Sequence, residues 1–91
     1  MAWKISFTSE AERCLQKIDR QAVRRILGFL NNRVANLDNP RAIGGALKGS
    51  TLGNFWKYRV GDYRIIADIR DKEIYICVLQ IGHRREIYRP K

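Results

Sequence analysis

Three basic side chains, Lys57, Arg59 and Arg64, are brought together by a predicted β-hairpin. Two stretches in which apolar and polar residues alternate flank Gly61-Asp62, a pair that suits a two-residue type II′ turn. With this turn Arg59 lies opposite Arg64, and the period-two alternation of a strand puts Lys57 on the same face. Like charges at such short range repel each other, so a bound anion would explain the cluster. The alternative is a solvated basic face whose long side chains fan apart.

A second group of polar residues follows the last predicted strand. Segment 82–88 contains the one histidine of the chain, two arginines and a tyrosine: His83, Arg84, Arg85 and Tyr88. Such groups can hold a phosphate and transfer a proton. Alternation alone does not place Arg84 relative to Arg64, because Gly82 can kink or bulge the strand.

Side chains of these types can cleave RNA without a metal ion. The 2′-hydroxyl of the RNA attacks the adjacent phosphorus, which leaves a 2′,3′-cyclic phosphate and a free 5′-hydroxyl. Arginines would stabilise the charge on the phosphoryl oxygens, and either Lys57 or Tyr88 would accept the proton of the 2′-hydroxyl. Histidine titrates nearest to neutral pH, so His83 is a candidate to protonate the leaving oxygen, with a plain surface role as its alternative. The acidic residues are scattered and there is no second histidine, so we expect no metal site.

The charge of the chain indicates a polyanionic partner. Its 18 lysines and arginines outnumber 9 acidic residues, which gives a net charge of +9 and a pI near 10.2, a balance typical of nucleic-acid-binding proteins. The longest apolar run, Ile74 to Leu79, is too short to span a bilayer, and no secretory signal is expected. Cys14 and Cys77 are predicted to be reduced core residues of a cytoplasmic protein.

Hydrophobic periodicity predicts one α+β domain over residues 1–91. A Ser9/Glu12 capping box begins the first helix, and Pro40 stops the second, which carries a long apolar stripe. The predicted elements are strand 3–7, helix 9–20, helix 21–37, loop 41–54 and strands 55–60, 63–69 and 74–81. We expect both helices to pack on one face of a sheet made by the N-terminal strand and a three-stranded antiparallel meander.

Three stretches of the chain resemble RelE toxins of the RelE/ParE superfamily. They are Leu47-Lys48-Gly49, residues 56–66 and residues 82–88, and the element order, length and basic charge agree with that family. The resemblance implies a RelE-like fold and a ribosome-dependent endoribonuclease that cleaves mRNA and inhibits translation without a cofactor. It also implies a catalytic set of Lys57, Arg59, Arg64, Arg84 and Tyr88, with Lys48, His83 and Arg85 as further RNA-binding residues.

The resemblance also bears on individual roles and on partners. It favours Arg84 over His83 as the group that protonates the leaving oxygen. Arg59 stands where some relatives have lysine, and because arginine is a poor proton acceptor, we interpret Arg59 as a phosphate clamp. The implied partners are a RelB-like antitoxin protein, the ribosome and mRNA, with no membrane and no small-molecule cofactor.

Two other functions fit part of the same pattern. A ParE-like inhibitor of DNA gyrase would share the fold but act by binding a protein, and the basic catalytic set argues against it. A non-catalytic RNA-binding module would use the same charges only to position phosphates, with an affinity that falls steeply with salt. Replacing Tyr88 by Phe would separate binding from cleavage.

Overall fold

The computed structural model describes residues 2–47 and 55–83, in which two helices pack on one face of a five-stranded sheet. The elements are β1 (Lys4–Phe7), α1 (Ser9–Lys17), α2 (Arg20–Gly28), a π-helical segment (Phe29–Val34), a 3-10 turn (Pro40–Ala42), β2 (Gly45–Ala46), β3 (Trp56–Val60), β4 (Tyr63–Arg70) and β5 (Tyr75–His83). The strand order is β1-β5-β4-β3-β2, and only β1 and β5 pair in parallel. No helix in the two described ranges is long and apolar enough to cross a membrane.

The predicted α+β architecture is confirmed, with one strand more than expected. The sequence predicts a loop over residues 41–54, whereas the structure pairs β2 with the outer edge of β3. A two-residue strand that contains glycine carries too little alternation to be recognised from sequence. This short strand matters because it borders the basic side chains.

The β3-β4 hairpin has the predicted register. Arg59 pairs with Arg64, Lys57 pairs with Ile66, and Gly61-Asp62 forms the turn. Gly61 has a φ of 59°, while Asp62 is not among the positive-φ residues, as a type II′ turn requires. The hairpin was therefore predictable in detail from its turn residues and its alternation.

The apolar stripe of the second helix packs against the sheet, but the helix changes from α to π geometry in its second half. Leu30 and Val34 are fully buried, as the stripe predicts. Within Phe29–Val34 the helix widens, and the amide of Ala35 donates to the carbonyl oxygen of Leu30 at 2.9 Å, five residues back. The carbonyl of Ala35 then accepts from the amide of Trp3 at 2.7 Å. The predicted continuous α-helix is therefore shorter than expected, and its π turn connects the helix to the start of β1.

The start of α1 lies one residue earlier than the predicted capping box. Thr8 is the N-cap, and its hydroxyl accepts from the amide of Ala11 at 3.1 Å. The same hydroxyl donates to the carbonyl oxygen of Leu79 at 2.9 Å, which joins β1, α1 and β5. Ser9 is already helical, so the predicted box with Glu12 is wrong.

A β-bulge in β5 decides which face its residues occupy. The register of β4 and β5 shifts between Ile66 and Ala67, where Leu79 is the extra residue. Gly82 could have bulged instead, but it stays in the ladder opposite Arg64. The residues beyond the bulge therefore alternate in the ordinary way up to the end of β5.

Candidate functional site

The face of the sheet turned away from the helices, called the open face below, carries a basic cluster of Lys57, Arg59 and Arg64. Arg59 and Arg64 lie directly opposite each other, and Lys57 is two residues before Arg59 on the same strand. Arg59 is exposed, whereas Lys57 and Arg64 are half-buried. The cluster borders a cleft of about 240 Å³ lined by Gly44, Gly45, Lys57, Tyr58, Arg59 and Arg64. The predicted grouping on one face is confirmed, and no described residue that lines the cleft is acidic.

Two glycines at β2 allow close approach of the backbone beside Lys57. Gly45 pairs with Lys57, and a side chain at Gly45 would begin 3.7 Å from Lys57 Cε, so the lysine stem lies over this glycine. Gly44 has a φ of 85°, and a side-chain carbon there would overlap the backbone oxygen of Lys57. Both residues fall in the loop predicted over residues 41–54, so their place in the site was not predicted. Adjacent glycines beside a strand are a signal of such close approach.

Tyr58 supports the cluster from the core side. It lies between Lys57 and Arg59 in β3, is 1% exposed, and donates its hydroxyl to the carbonyl oxygen of Pro40 at 2.6 Å. Burial raises the pKa of Tyr58 to about 12, against a smaller opposing effect of Arg41. The hydroxyl therefore stays protonated at neutral pH and acts as a structural donor that fixes β3 against the 3-10 turn.

A small apolar cluster lies next to the basic cluster. Leu47 and Ile66 are 5% and 3% exposed, and Phe55 and Leu79 pack against them. Ile66 is the cross-strand partner of Lys57, so the lysine has an apolar neighbour on one side. Apolar surroundings reduce the screening of a charge, which strengthens its interaction with an anion.

The opposite end of β4 is arranged differently. Arg70 donates to Asp68 at 3.0 Å, and Arg41 donates to Asp71 at 2.9 Å. The hydrogen bond from Arg41 holds the pKa of the Asp71 carboxyl below its usual value. Basic side chains at this end therefore have carboxylate partners.

His83 lies on the helix side of the sheet. It pairs with Tyr63 at the end of β5, and their rings meet edge to face with centroids 5.9 Å apart. Both rings line a groove between β5 and α1 that also includes Cys14 and Lys17. The structure does not bring His83 into the basic cluster, because ordinary alternation through the end of β5 turns it away from the face of Arg64.

The remaining predicted site residues, Lys48, Arg84, Arg85 and Tyr88, lie outside the described residues. Their roles stay predictions from the sequence. Among residues 2–47 and 55–83, no group of three or more His, Cys, Asp and Glu side chains could hold a metal ion. The metal-free route likewise stays a prediction.

The fold and the cleft define a class of small basic α+β proteins that display cations on the open face of a sheet. The family model described as ParE toxin of type II toxin-antitoxin system, parDE, matches residues 5–88 of the chain. The chain belongs to this family and is a type II toxin of the RelE/ParE superfamily.

Relatives from this superfamily match nearly the whole chain. Toxin RelG of Mycobacterium tuberculosis is 28% identical over 89 residues, which are 98% of this chain and 99% of RelG. The toxin-antitoxin complex RelBE2 of the same organism contains a chain with a TM-score of 0.83 at 23% identity, covering 94% of this chain and 95% of that one. The archaeal RelE-RelB complex from Pyrococcus horikoshii gives a TM-score of 0.71 at 25% identity over 94% and 99%. The RelE-like fold expected from the resemblance is confirmed.

Proposed function

We propose that this toxin is a ribosome-dependent mRNA endoribonuclease that cleaves by attack of the RNA 2′-hydroxyl and needs no metal. The observation that carries the proposal is the cleft on the open face, where Lys57, Arg59 and Arg64 converge without an acidic side chain among the described residues that line it. A scissile phosphate in this cleft would be attracted by three neighbouring cations, which could stabilise its charge as the reaction proceeds. The similarity to RelG and to RelE toxins supports the same class of function.

In the proposed reaction, Arg59 and Arg64 bind the phosphoryl oxygens. They lie opposite each other on neighbouring strands, so their planar guanidinium groups can bind one phosphate from two sides. The 2′-oxygen bonds to phosphorus as its proton passes to a base, and the bond from phosphorus to the 5′-oxygen breaks as that oxygen takes up a proton. Lys57 or Tyr88 is the proposed base, and Arg84 is the proposed acid.

The fixed geometry of the cleft supports a catalytic role over loose attraction. Lys57 lies over Gly45, and the backbone of β3 is held from below by the hydrogen bond from Tyr58 to Pro40. Such support keeps cationic donors in place before the charge develops, which is the main requirement of electrostatic catalysis. Lys48, His83 and Arg85 are proposed to contact flanking parts of the RNA, His83 from the rim of the sheet.

The proposed partners are an antitoxin of the RelB type, the ribosome and mRNA, and the proposed location is the cytoplasm. Relatives of known structure are complexes of RelE with RelB, which supports an antitoxin partner for this chain. With a net charge of +9, the toxin would attract an acidic antitoxin segment. We propose that residues 1–91 act as one domain.

The test is to map mRNA 5′ ends after expression from a tightly controlled promoter. Wild type should produce cuts within codons that disappear when translation of the reporter is blocked, and the new 5′ ends should need phosphorylation before ligation. Arg64→Gln and Arg84→Ala should lower cleavage by about 10²-fold or more. Arg70→Gln is the matched control, because Arg70 lies on the same strand and face but at the opposite end of β4, away from the cleft, where it pairs with Asp68. Metal-dependent cleavage, or equal loss in Arg70→Gln, would contradict the proposal.

A gyrase inhibitor is the second candidate, because the matching family model describes ParE toxins. Such a protein would arrest growth while mRNA stays intact, and the purified toxin would inhibit DNA supercoiling by gyrase. Those two results together would replace the nuclease proposal.

A further inference from the structure

The turn that closes the basic hairpin is also approached by the helix layer. A side-chain carbon at Gly61 would lie 2.9 Å from Nη2 of Arg25, and no other described atom outside the turn comes within 4 Å of that position. Arg25 belongs to α2, which packs on the helix side of the sheet. Its guanidinium therefore reaches past the core to the tip of β3 and β4.

Arg25 extends the positive charge of the basic cluster around the end of the sheet. The pair Val60-Tyr63 separates the turn from Arg59 and Arg64, so these arginines lie two residues behind Gly61-Asp62. At about 3.3 Å per strand residue this distance is on the order of 7 Å. A strand of RNA that leaves the cleft at the hairpin tip would meet Arg25 next.

The surroundings of Arg25 contain little negative charge. No acidic residue occurs between Arg20 and Leu37, so α2 and its π segment carry only cations. Asp62 in the turn is exposed, and the described residues show no ion pair between it and Arg25. The exposed guanidinium is thus placed for an anion from outside the protein.

We propose that Arg25 is a substrate-binding residue that holds a backbone phosphate of the RNA strand, next to the phosphate in the basic cluster. The inference rests on the proposed function and adds a contact from the opposite layer of the fold. A phosphate of ribosomal RNA has the same chemistry, but the position of Arg25 beside the hairpin turn favours the strand that occupies the cleft.

The test measures binding of a short single-stranded RNA with one 2′-deoxy sugar, which cannot be cut at that position, across a range of salt concentrations. Arg25→Gln should weaken binding on the order of fivefold and reduce the slope of log affinity against log salt by about 0.7. Arg25→Lys should keep most of that slope because it keeps the charge. Arg24→Gln removes an exposed neighbour on the same helix and should match wild type.

Kinetics with translating ribosomes give an independent measurement. Arg25→Gln should raise the toxin concentration needed for half-maximal cleavage and leave the rate at saturation unchanged, whereas Arg64→Gln should lower the saturating rate. A purely structural role of Arg25 would instead lower the free energy of unfolding in urea and leave the salt slope unchanged.

The outcomes separate this inference from the proposed function. Equal salt slopes for Arg25→Gln and Arg24→Gln would overturn the Arg25 contact even if wild type cleaves mRNA. Loss of affinity only for ribosomes without mRNA would also overturn it and assign Arg25 to ribosomal RNA. Wild type that binds the RNA through Arg25 but makes no cut would support the contact and reject the nuclease. Failure of wild type to bind the RNA even at low salt would overturn the Arg25 contact. The proposed nuclease function would then be decided by the mapping of mRNA 5′ ends in cells.

Discussion

The helix side and the open face of the sheet are formed by the same strands, because neighbouring residues in a strand point to opposite faces. The two faces nevertheless have different roles. In β4, Ile65 is fully buried under the helices, while its neighbour Arg64 is half-buried at the cleft on the open face. Apart from the hydroxyl of Tyr58, the buried side chains in the described part of the chain are apolar. The helix side therefore stabilises the fold, and the open side places charges at some expense in repulsion. Substitutions on the helix side should therefore lower mainly the stability of the fold, and substitutions at neighbouring residues on the open face should lower mainly the cleavage of mRNA.

The largest effect on stability is expected from Ile65→Ala. Removing a fully buried branched side chain leaves a cavity in the core between the helices and the sheet, so the free energy of unfolding should fall by about 2 to 5 kcal/mol. Urea unfolding followed by circular dichroism measures this. Ile65→Val removes one methylene, and it should lower the free energy of unfolding by only about 0.5 to 1.5 kcal/mol.

Arg64→Gln should behave in the opposite way to the variants of Ile65. That variant should unfold close to the wild-type urea midpoint while it loses most cleavage, whereas Ile65→Val should keep its cleavage rate per folded molecule. If Arg64→Gln unfolds as easily as Ile65→Ala, the open face also holds the fold together and the division between the two sides is wrong.

Tyr58→Phe should have an intermediate effect, since Tyr58 connects the two sides. Loss of the hydroxyl leaves the buried carbonyl of Pro40 without its 2.6 Å donor, which should lower the free energy of unfolding by about 1 to 3 kcal/mol. The ring still fills the core and keeps its contact with Phe29, so the fold should persist.

The pH dependence of stability tests whether the buried hydroxyl of Tyr58 is responsible for this effect. Burial raises the pKa of Tyr58 to about 12 in the folded protein, above the value of about 10 expected for an unfolded tyrosine. Its stabilising contribution is therefore complete below pH 10 and is lost as the pH rises towards 12. Tyr58→Phe should show a smaller loss of stability over that range, and an identical alkaline profile for both proteins would contradict the assignment.

The sequence could predict the hairpin better than its surroundings, for physical reasons. Gly61-Asp62 fixes both the turn and the register, so the positions of Lys57, Arg59 and Arg64 followed from local chemistry. The parallel pairing of β1 with β5 and the two-residue strand β2 depend on distant contacts that leave no periodic signal. The placement of His83 depends on where the β5 strand bulges, and nothing local distinguishes Leu79 from Gly82 as the site of that bulge.

The contact between Arg25 and the turn was hidden for a related reason. Helical spacing puts Arg25 on an exposed part of α2, beside Arg24, and gives no sign that the guanidinium of Arg25 lies next to Gly61. The length of an arginine side chain and the angle between helix and sheet decide that contact. Both belong to the tertiary structure, so this candidate binding residue could only be found after the layers had been assembled.

The smallest expected effect is at the ion-paired end of β4. Asp71 accepts a hydrogen bond from Arg41 at 2.9 Å, and this bond holds the pKa of the Asp71 carboxyl below its ordinary value. A depressed pKa means that the pair stabilises the fold at neutral pH and that this contribution disappears as the pH falls below about 4.

Asp71→Asn should therefore lower the urea midpoint at neutral pH by less than Tyr58→Phe does, because an exposed pair is screened by water. The midpoints of the variant and wild type should converge in acid, while mRNA cleavage at neutral pH stays at the wild-type level. Loss of cleavage in Asp71→Asn would show that the ion-paired end of β4 also shapes the basic cluster.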